Sequence, residues 1–119
     1  MNPETFRART KSYALRVIAV VDALPRDQIT SVLGRQLLRS GTSVAANYRA
    51  SARAKSHADF VAKMSIVEEE CDESLFWMEL LIESRRIRPE CLHALMREGT
   101  ELLAMSVASI KTARKSRHS

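Results

Sequence analysis

An all-α fold, an antiparallel up-down-up-down four-helix bundle, is what this sequence predicts, and three observations carry the expectation. Apolar residues make up 45% of the chain, enough for a core and too many for a disordered polymer. Only 3 Gly and 3 Pro interrupt 119 residues. A β-sandwich needs many more turns than that, so the elements must be few and long. Finally, apolar side chains recur at steps of three and four along four stretches, the rhythm of helices that each bury one face. Four helices of about 20 residues, each roughly 30 Å long, use nearly the whole chain, and residues 1–119 read as one domain.

The first helix is expected over about 3–24. Asn2 can cap it, Pro3 suits the first helical position, and Glu4 complements the positive end of the helix dipole. Tyr13, Val17, Val20, Val21 and Leu24 follow at helical spacing until Pro25 stops the run, and Arg26, Asp27 and Gln28 make a short polar connection. A second helix is expected over about 30–54, with Leu33, Leu37, Val44 and Tyr48 on one face. Gly41 sits within it at a cost of about 1 kcal/mol against Ala, which marks a bend or a close helix contact. Ser56 to Asp59 resembles a capping box with Asp in place of Glu. It opens the third helix, about 57–85, whose seam is Phe60, Met64, Val67, Cys71, Ser74 or Leu75, Met78, and Leu81 or Ile82. Arg85 and Arg86 at its end suit the dipole. The fourth helix, about 89–112, opens around Pro89 and carries Leu92, Leu95, Gly99, Leu102 and Ser106 in one stripe, flanked by Met96, Leu103 and Ile110. Residues 113–119 are expected to be a fraying basic tail. All three connections are short, so consecutive helices should be antiparallel neighbours.

The longest apolar run, Leu15 to Leu24, is broken by Arg16 and Asp22 and is too short to span a membrane. The first ten residues lack the apolar centre of a signal peptide. Two cysteines, Cys71 and Cys91, make no disulfide framework, which points to the cytoplasm and reduced thiols. A di-iron carboxylate bundle needs two Glu-x-x-His motifs plus two more glutamates. The chain has a single match, Glu90 to His93, and its other histidines, His57 and His118, lie at a helix start and in the tail. No metal, cofactor or catalytic residue is expected: Ser40 and Ser43 have no histidine nearby in sequence and no Gly-flanked elbow.

The net charge of +5 is unevenly spread. Residues 1–55 hold 10 Lys/Arg against 3 Asp/Glu, and residues 56–110 hold 5 against 11. Lys111, Arg114, Lys115 and Arg117 then follow without an acid. At 100° per residue, Arg35, Arg39, Arg49 and Arg53 fall within an arc of about 80°. That stripe is either a solvated face or a binding face for an acidic helix or a phosphate backbone, since the guanidinium fork serves carboxylate and phosphate alike. Beside it Gln36, Ser40, Ser43, Asn47 and Ser51 form a half-buried polar stripe. Its groups serve close packing within the bundle or the register of a subunit interface. On the third helix Glu68, Asp72, Glu79 and Glu83 share one flank and Glu69 and Glu73 another, either solvated or paired with the arginines within or between subunits. Helix-turn-helix spacing, zinc ligands and an aromatic stacking platform are absent, so any RNA or DNA binding would rest on phosphate contacts and be salt-sensitive.

One stretch resembles a known family. It runs from Gln36 through Arg39, Ser43, Asn47, Tyr48 and Arg49 to Ala50, then Arg53 to Ser56, then Asp59-Phe60. It is similar to the signature of bacterial four-helix bundle proteins first noticed as reading frames in intervening sequences of large-subunit ribosomal RNA genes. The family's spaced Gln, Arg, Ser and Asn fall on Gln36, Arg39, Ser43 and Asn47, and its third-helix glutamate on Glu73. The likeness runs from about residue 5 to 112. Many members carry Glu-Gly soon after the Asn, where this chain has Ala50-Ser51. The resemblance implies a homopentamer without recognised catalytic residues, related to the basic pentameric accessory protein of diversity-generating retroelements, which binds a reverse transcriptase and nucleic acid. The resulting expectation is a non-enzymatic homo-oligomeric scaffold touching nucleic acid, with a pure protein–protein interaction module as the alternative.

Overall fold

A computed structural model describes residues 2–117, with the backbone alone for Arg117. The elements are α1 (Pro3–Asp22), α2 (Gln28–Ser51), α3 (His57–Glu83), a short 3-10 helix (Pro89–Cys91) and α4 (His93–Arg117). They form an all-α four-helix bundle, an elongated body of 52 × 22 × 20 Å. Consecutive helices pack closely, whereas α1 and α4 meet sparingly.

The helix starts follow local chemistry. Asn2 accepts a hydrogen bond from the Thr5 N–H at 2.8 Å, and Ser56 Oγ accepts one from the Asp59 N–H at 3.0 Å. Asp59 is too short to close the expected box onto the Ser56 N–H, and its carboxylate takes the Lys55 N–H at 3.0 Å instead. α2 starts two residues earlier than expected because Asp27, read as connection, is its cap: Oδ1 accepts from the Thr30 N–H and Oδ2 from the Thr30 hydroxyl. These bonds hold the Asp27 carboxyl below its ordinary range.

The helix ends depart further from expectation. α2 stops at Ser51, so Arg53 lies off the helix and outside the predicted arc of arginines. α3 stops at Glu83 with a Schellman turn: the Arg86 N–H bonds Leu81 O and the Arg85 N–H bonds Ile82 O, both at 2.9 Å. Arg85 there takes φ 62°, a conformation that suits glycine. Arg85→Gly should therefore stabilise the protein by about 0.5–1 kcal/mol, read from a urea midpoint; an unchanged or lower midpoint refutes the strain. Arg86 stands just beyond the end of α3, with its Nε buried and without a hydrogen-bond partner among the described residues. Its Nη1 donates to Asp27 Oδ1 and Thr30 Oγ1, each at 3.0 Å, tying the end of α3 to the start of α2. The fourth stretch begins as a 3-10 turn, and α4 proper continues past residue 112 to Arg117. The expected fraying tail is thus helical as far as Arg117, while the Arg117 side chain, His118 and Ser119 lie outside the described residues.

The core follows the predicted seams in the main, with Phe6 added from α1 and with Val20, Val21, Leu33 and Phe60 only partly buried. Tyr13, Val17, Leu37, Val44, Met64, Val67, Cys71, Met78, Leu81, Leu92 and Leu102 are fully buried. Two glycines let backbones approach. A Cβ on Gly41 would stand 2.7 Å from Val17 Cγ2, and one on Gly99 would stand 2.7 Å from the Tyr13 hydroxyl. Gly41 thus marks the close contact, one of its two expected meanings. The Tyr13 hydroxyl donates to Ser74 Oγ at 2.8 Å, and Ser74 donates to Cys71 O at 2.8 Å, so both of these buried hydroxyls are satisfied. Burial pushes the Cys71 thiol up to about 12, whereas Cys91 is exposed. Iodoacetamide on the folded protein should therefore label Cys91 and spare Cys71 until denaturant is added, as mass spectrometry would show; equal labelling contradicts the burial.

Where α1 and α4 meet sparingly, an ion pair spans the seam. Arg9 Nε donates to Glu98 Oε2 at 2.9 Å and Arg9 Nη2 to Glu98 Oε1 at 2.6 Å, with Glu101 a further 3.1 Å partner. The bidentate fork keeps Glu98 below its ordinary carboxylate range. Glu98→Gln should cost about 1–2 kcal/mol at pH 7, because both groups are largely covered. The same loss should appear in the native chain as pH falls below the ordinary carboxylate range, since a depressed acid stabilises only while ionised. A flat stability profile between pH 6 and about 3 would contradict that linkage.

Candidate functional site

Of the predicted polar and charged residues, Gln36, Arg39 and Glu73 come together on the outer surface where α2 faces α3. Arg39 lies at its centre. Its Nη1 donates to Glu70 Oε2 at 3.0 Å and its Nη2 to Glu73 Oε1, while its Nε approaches Gln36 Oε1 at 3.4 Å. Trp77 Nε1 donates to the same Glu73 oxygen at 3.3 Å. Glu73 is held below its ordinary range chiefly by the Arg39 bond, and Arg39 is raised in turn. The cluster is not sealed: the Arg39 side chain is 50% exposed and Glu73 is 35% exposed.

Its surroundings are apolar. By helical spacing Val32 shares the Arg39 face of α2, and Ile66 and Trp77 share the Glu70–Glu73 face of α3. Val32, Ile66 and Phe76 are 44%, 40% and 48% exposed, and Ile29 one turn before Val32 is 56% exposed. Phe76 and Trp77 meet edge to face, with centroids 5.1 Å apart. Large apolar groups around a half-covered ion-pair network describe a surface suited to association, with aromatic and arginine anchors inside a polar frame.

In the polar stripe of α2, Gln36, Ser43 and Asn47 are half-buried as expected while Ser40 and Ser51 are fully buried, and the stripe bonds mainly to its own helix. Ser40 Oγ donates to Gln36 O at 2.9 Å, Asn47 Nδ2 to Ser43 O at 2.9 Å, and Ser51 Oγ to Tyr48 O at 2.6 Å. Of the four arginines in the expected stripe, Arg39 alone is paired. Arg35, Arg49 and Arg53 are exposed and make no ion pair among the described residues. Arg35 borders a small hollow near the α1–α2 turn, beside Asp22 and Arg26. Lys111, Arg114 and Lys115 are exposed on the last turns of α4. Glu68, Asp72, Glu79 and Glu83 likewise carry no ion pair among the described residues, so within one copy the expected pairing of acids with the arginine stripe is confined to Arg39.

Sequence reasoning missed Glu70, the more buried partner of Arg39, with a side chain only 12% exposed. The signal was available: Glu70, Glu73 and Trp77 follow at steps of three and four, so a partner of Glu73 also lies within reach of Glu70. Among the described residues no group of three or more His, Cys, Asp or Glu is placed to hold a metal ion. No helix of the described residues is long and apolar enough to cross a membrane.

Known proteins share this architecture. A crystal structure of a protein with unknown function from the S23 ribosomal protein family of Bacteroides thetaiotaomicron superposes with a TM-score of 0.84 at 33% identity, covering 89% of this chain and 98% of that one. No curated protein matches. The sequence model described as 23S rRNA-intervening sequence protein matches residues 6–108, nearly the full bundle. The chain belongs to the 23S rRNA-intervening sequence protein family.

Proposed function

We propose that this chain is a non-enzymatic cytoplasmic scaffold that self-associates through the outer face of α2 and α3. Its number of copies is taken as the five implied by the family resemblance, and its free cations contact nucleic-acid phosphate. The observation that carries the reading is the exposed apolar frame, Val32, Ile66 and Phe76, around the half-covered Arg39–Glu70–Glu73 network. Burying that frame against another copy would complete the desolvation of the ion pairs and remove large apolar groups from water. Gln36, Ser43, Asn47 and Glu73 lie on or beside the same face and would set register. Arg35, Arg49, Arg53, Lys111, Arg114, Lys115 and Arg117 would supply the phosphate contacts.

Light scattering after size exclusion tests the assembly. Five copies of the 13.4 kDa chain give about 67 kDa (5 × 13.4). A mass near 13.4 kDa at micromolar concentration would refute self-association. For the nucleic-acid role, retention of generic RNA should fall steeply between about 50 and 200 mM salt, as counterion release requires. A second reading, a protein–protein module without a nucleic-acid role, is favoured by the same apolar frame, which phosphate contacts would not use. An absence of RNA retention even at about 50 mM salt would select it.

A further inference from the structure

A groove of about 1050 Å³ opens at the end of the bundle where α1 and α3 begin. Phe6, Tyr48, Phe60 and Met105 line it, with Ala52, Ala54, Ala108 and Ala113 among its other residues. It exists because α4 runs on past the start of α1. Its α4 lining reaches from Met105 to Ala113, about 12 Å along the helix. Lys55 and His57 also line the groove, and Arg53 stands between two lining residues. Arg7 and Lys115 lie one turn from the lining residues Pro3 and Thr112.

Among the described residues the nearby acids are engaged or turned aside: Glu101, one turn from Met105, accepts from Arg9 Nη2 at 3.1 Å. Asp59 is engaged by Lys63 Nζ at 2.7 Å and by the Lys55 N–H. Glu4 is turned about 100° around α1 from Pro3. The groove thus joins an apolar floor to a basic rim, at the opposite end of α2 from Val32.

We propose that it takes one acidic amphipathic helix of a partner protein. The alanine methyls allow the close approach that helix packing at about 8–10 Å demands. The apolar floor would receive the partner's i, i+3, i+4 side chains, and the rim its glutamates or aspartates. Nucleic acid fits less well: phosphate contacts would use the basic rim alone and leave the apolar floor uncovered, and the Phe6 and Tyr48 rings, stacked at 4.2 Å and both buried, offer no free face to a base. A single alkyl chain would leave much of this open lining wet.

The probe is a fluorescein-labelled helical peptide of about 14 residues, roughly 20 Å long, with leucines at i, i+3, i+4 spacing and glutamates elsewhere. Fluorescence anisotropy should show one peptide per chain, held at least about tenfold tighter than a scramble of the same composition, which keeps the charge and loses the apolar face. Ala108→Glu, on the exposed wall, should weaken the peptide about tenfold or more, an added acid facing acids. Arg97→Glu, exposed on α4 away from the groove, changes net charge by twice as much and should alter binding less than about twofold. Should Ala108→Glu fail to fold by circular dichroism, amide shift perturbation in the wild type decides instead; shifts must concentrate on residues 52–57 and 105–113. Equal binding of peptide and scramble, a larger loss in Arg97→Glu, or shifts elsewhere would each overturn the proposal. So would Ala108-sensitive binding of an oligouridylate or of oleate without binding of the peptide.

Discussion

A chain carrying Arg39→Glu is expected to elute near 13.4 kDa, the mass of a single copy, while the native protein elutes as an assembly. The substitution puts a third carboxylate beside Glu70 and Glu73, where a guanidinium now bonds both. Within one copy the damage is limited, because a half-exposed group at this position can turn to water. Buried at an interface it cannot, and like charges without a partner there are strongly disfavoured. The far-ultraviolet spectrum should therefore remain helical while the mass falls. Acid should act on the native protein in the same direction. Glu73 is depressed, so its contribution is complete above the ordinary carboxylate range and is lost as pH falls through its lowered value. Assembly should persist at about pH 5 and fail toward about pH 3. A full-mass assembly with Glu at position 39 would remove this face from the interface.

Helix count, order and core positions were legible because burial is periodic: Met64, Val67, Cys71, Met78 and Leu81 are sealed as their spacing required. Ends were less legible because they depend on a few polar atoms. Asp27 looked like linker until its carboxylate was seen to hold both the amide and the hydroxyl of Thr30. Arg85 carries no sign in its sequence of the left-handed turn it adopts. Within the Arg39 cluster, Gln36, Arg39 and Glu73 could be named from a spaced motif, whereas the motif's Asn47 bonds Ser43 O inside α2. Arg53 falls outside the arc of arginines because α2 ends at Ser51. The exposed apolar frame was hidden for another reason. Val32, Ile66 and Phe76 look like core residues in any apolar count, and only the packed bundle leaves them outside.

Gly41→Ala tests the packing beneath that face, and its sign is informative. In an isolated helix the change gains about 1 kcal/mol. Here the new Cβ would stand 2.7, 2.8 and 3.0 Å from Cγ2, Cγ1 and Cβ of Val17. Val17 is fully buried, and its β-branched side chain has little freedom within a helix, so the overlap cannot be relieved by swinging a flexible tip aside. α1 and α2 must move apart or Val17 must leave its rotamer, at about 1–3 kcal/mol or more. With contacts this short at three atoms of one stiff residue, the overlap outweighs the propensity gain. A net loss of about 1–2 kcal/mol is expected, read as a lower urea midpoint with an unchanged slope. Val17→Ala alone should also destabilise, by about 2–4 kcal/mol, through the cavity it leaves. Combined with Gly41→Ala, the two methyls that would clash are gone, and the double variant should be more stable than the sum of the single losses by about 1 kcal/mol or more. If Gly41→Ala instead raises the midpoint, the two helices lie farther apart than these distances state, and the tight α1–α2 contact is wrong.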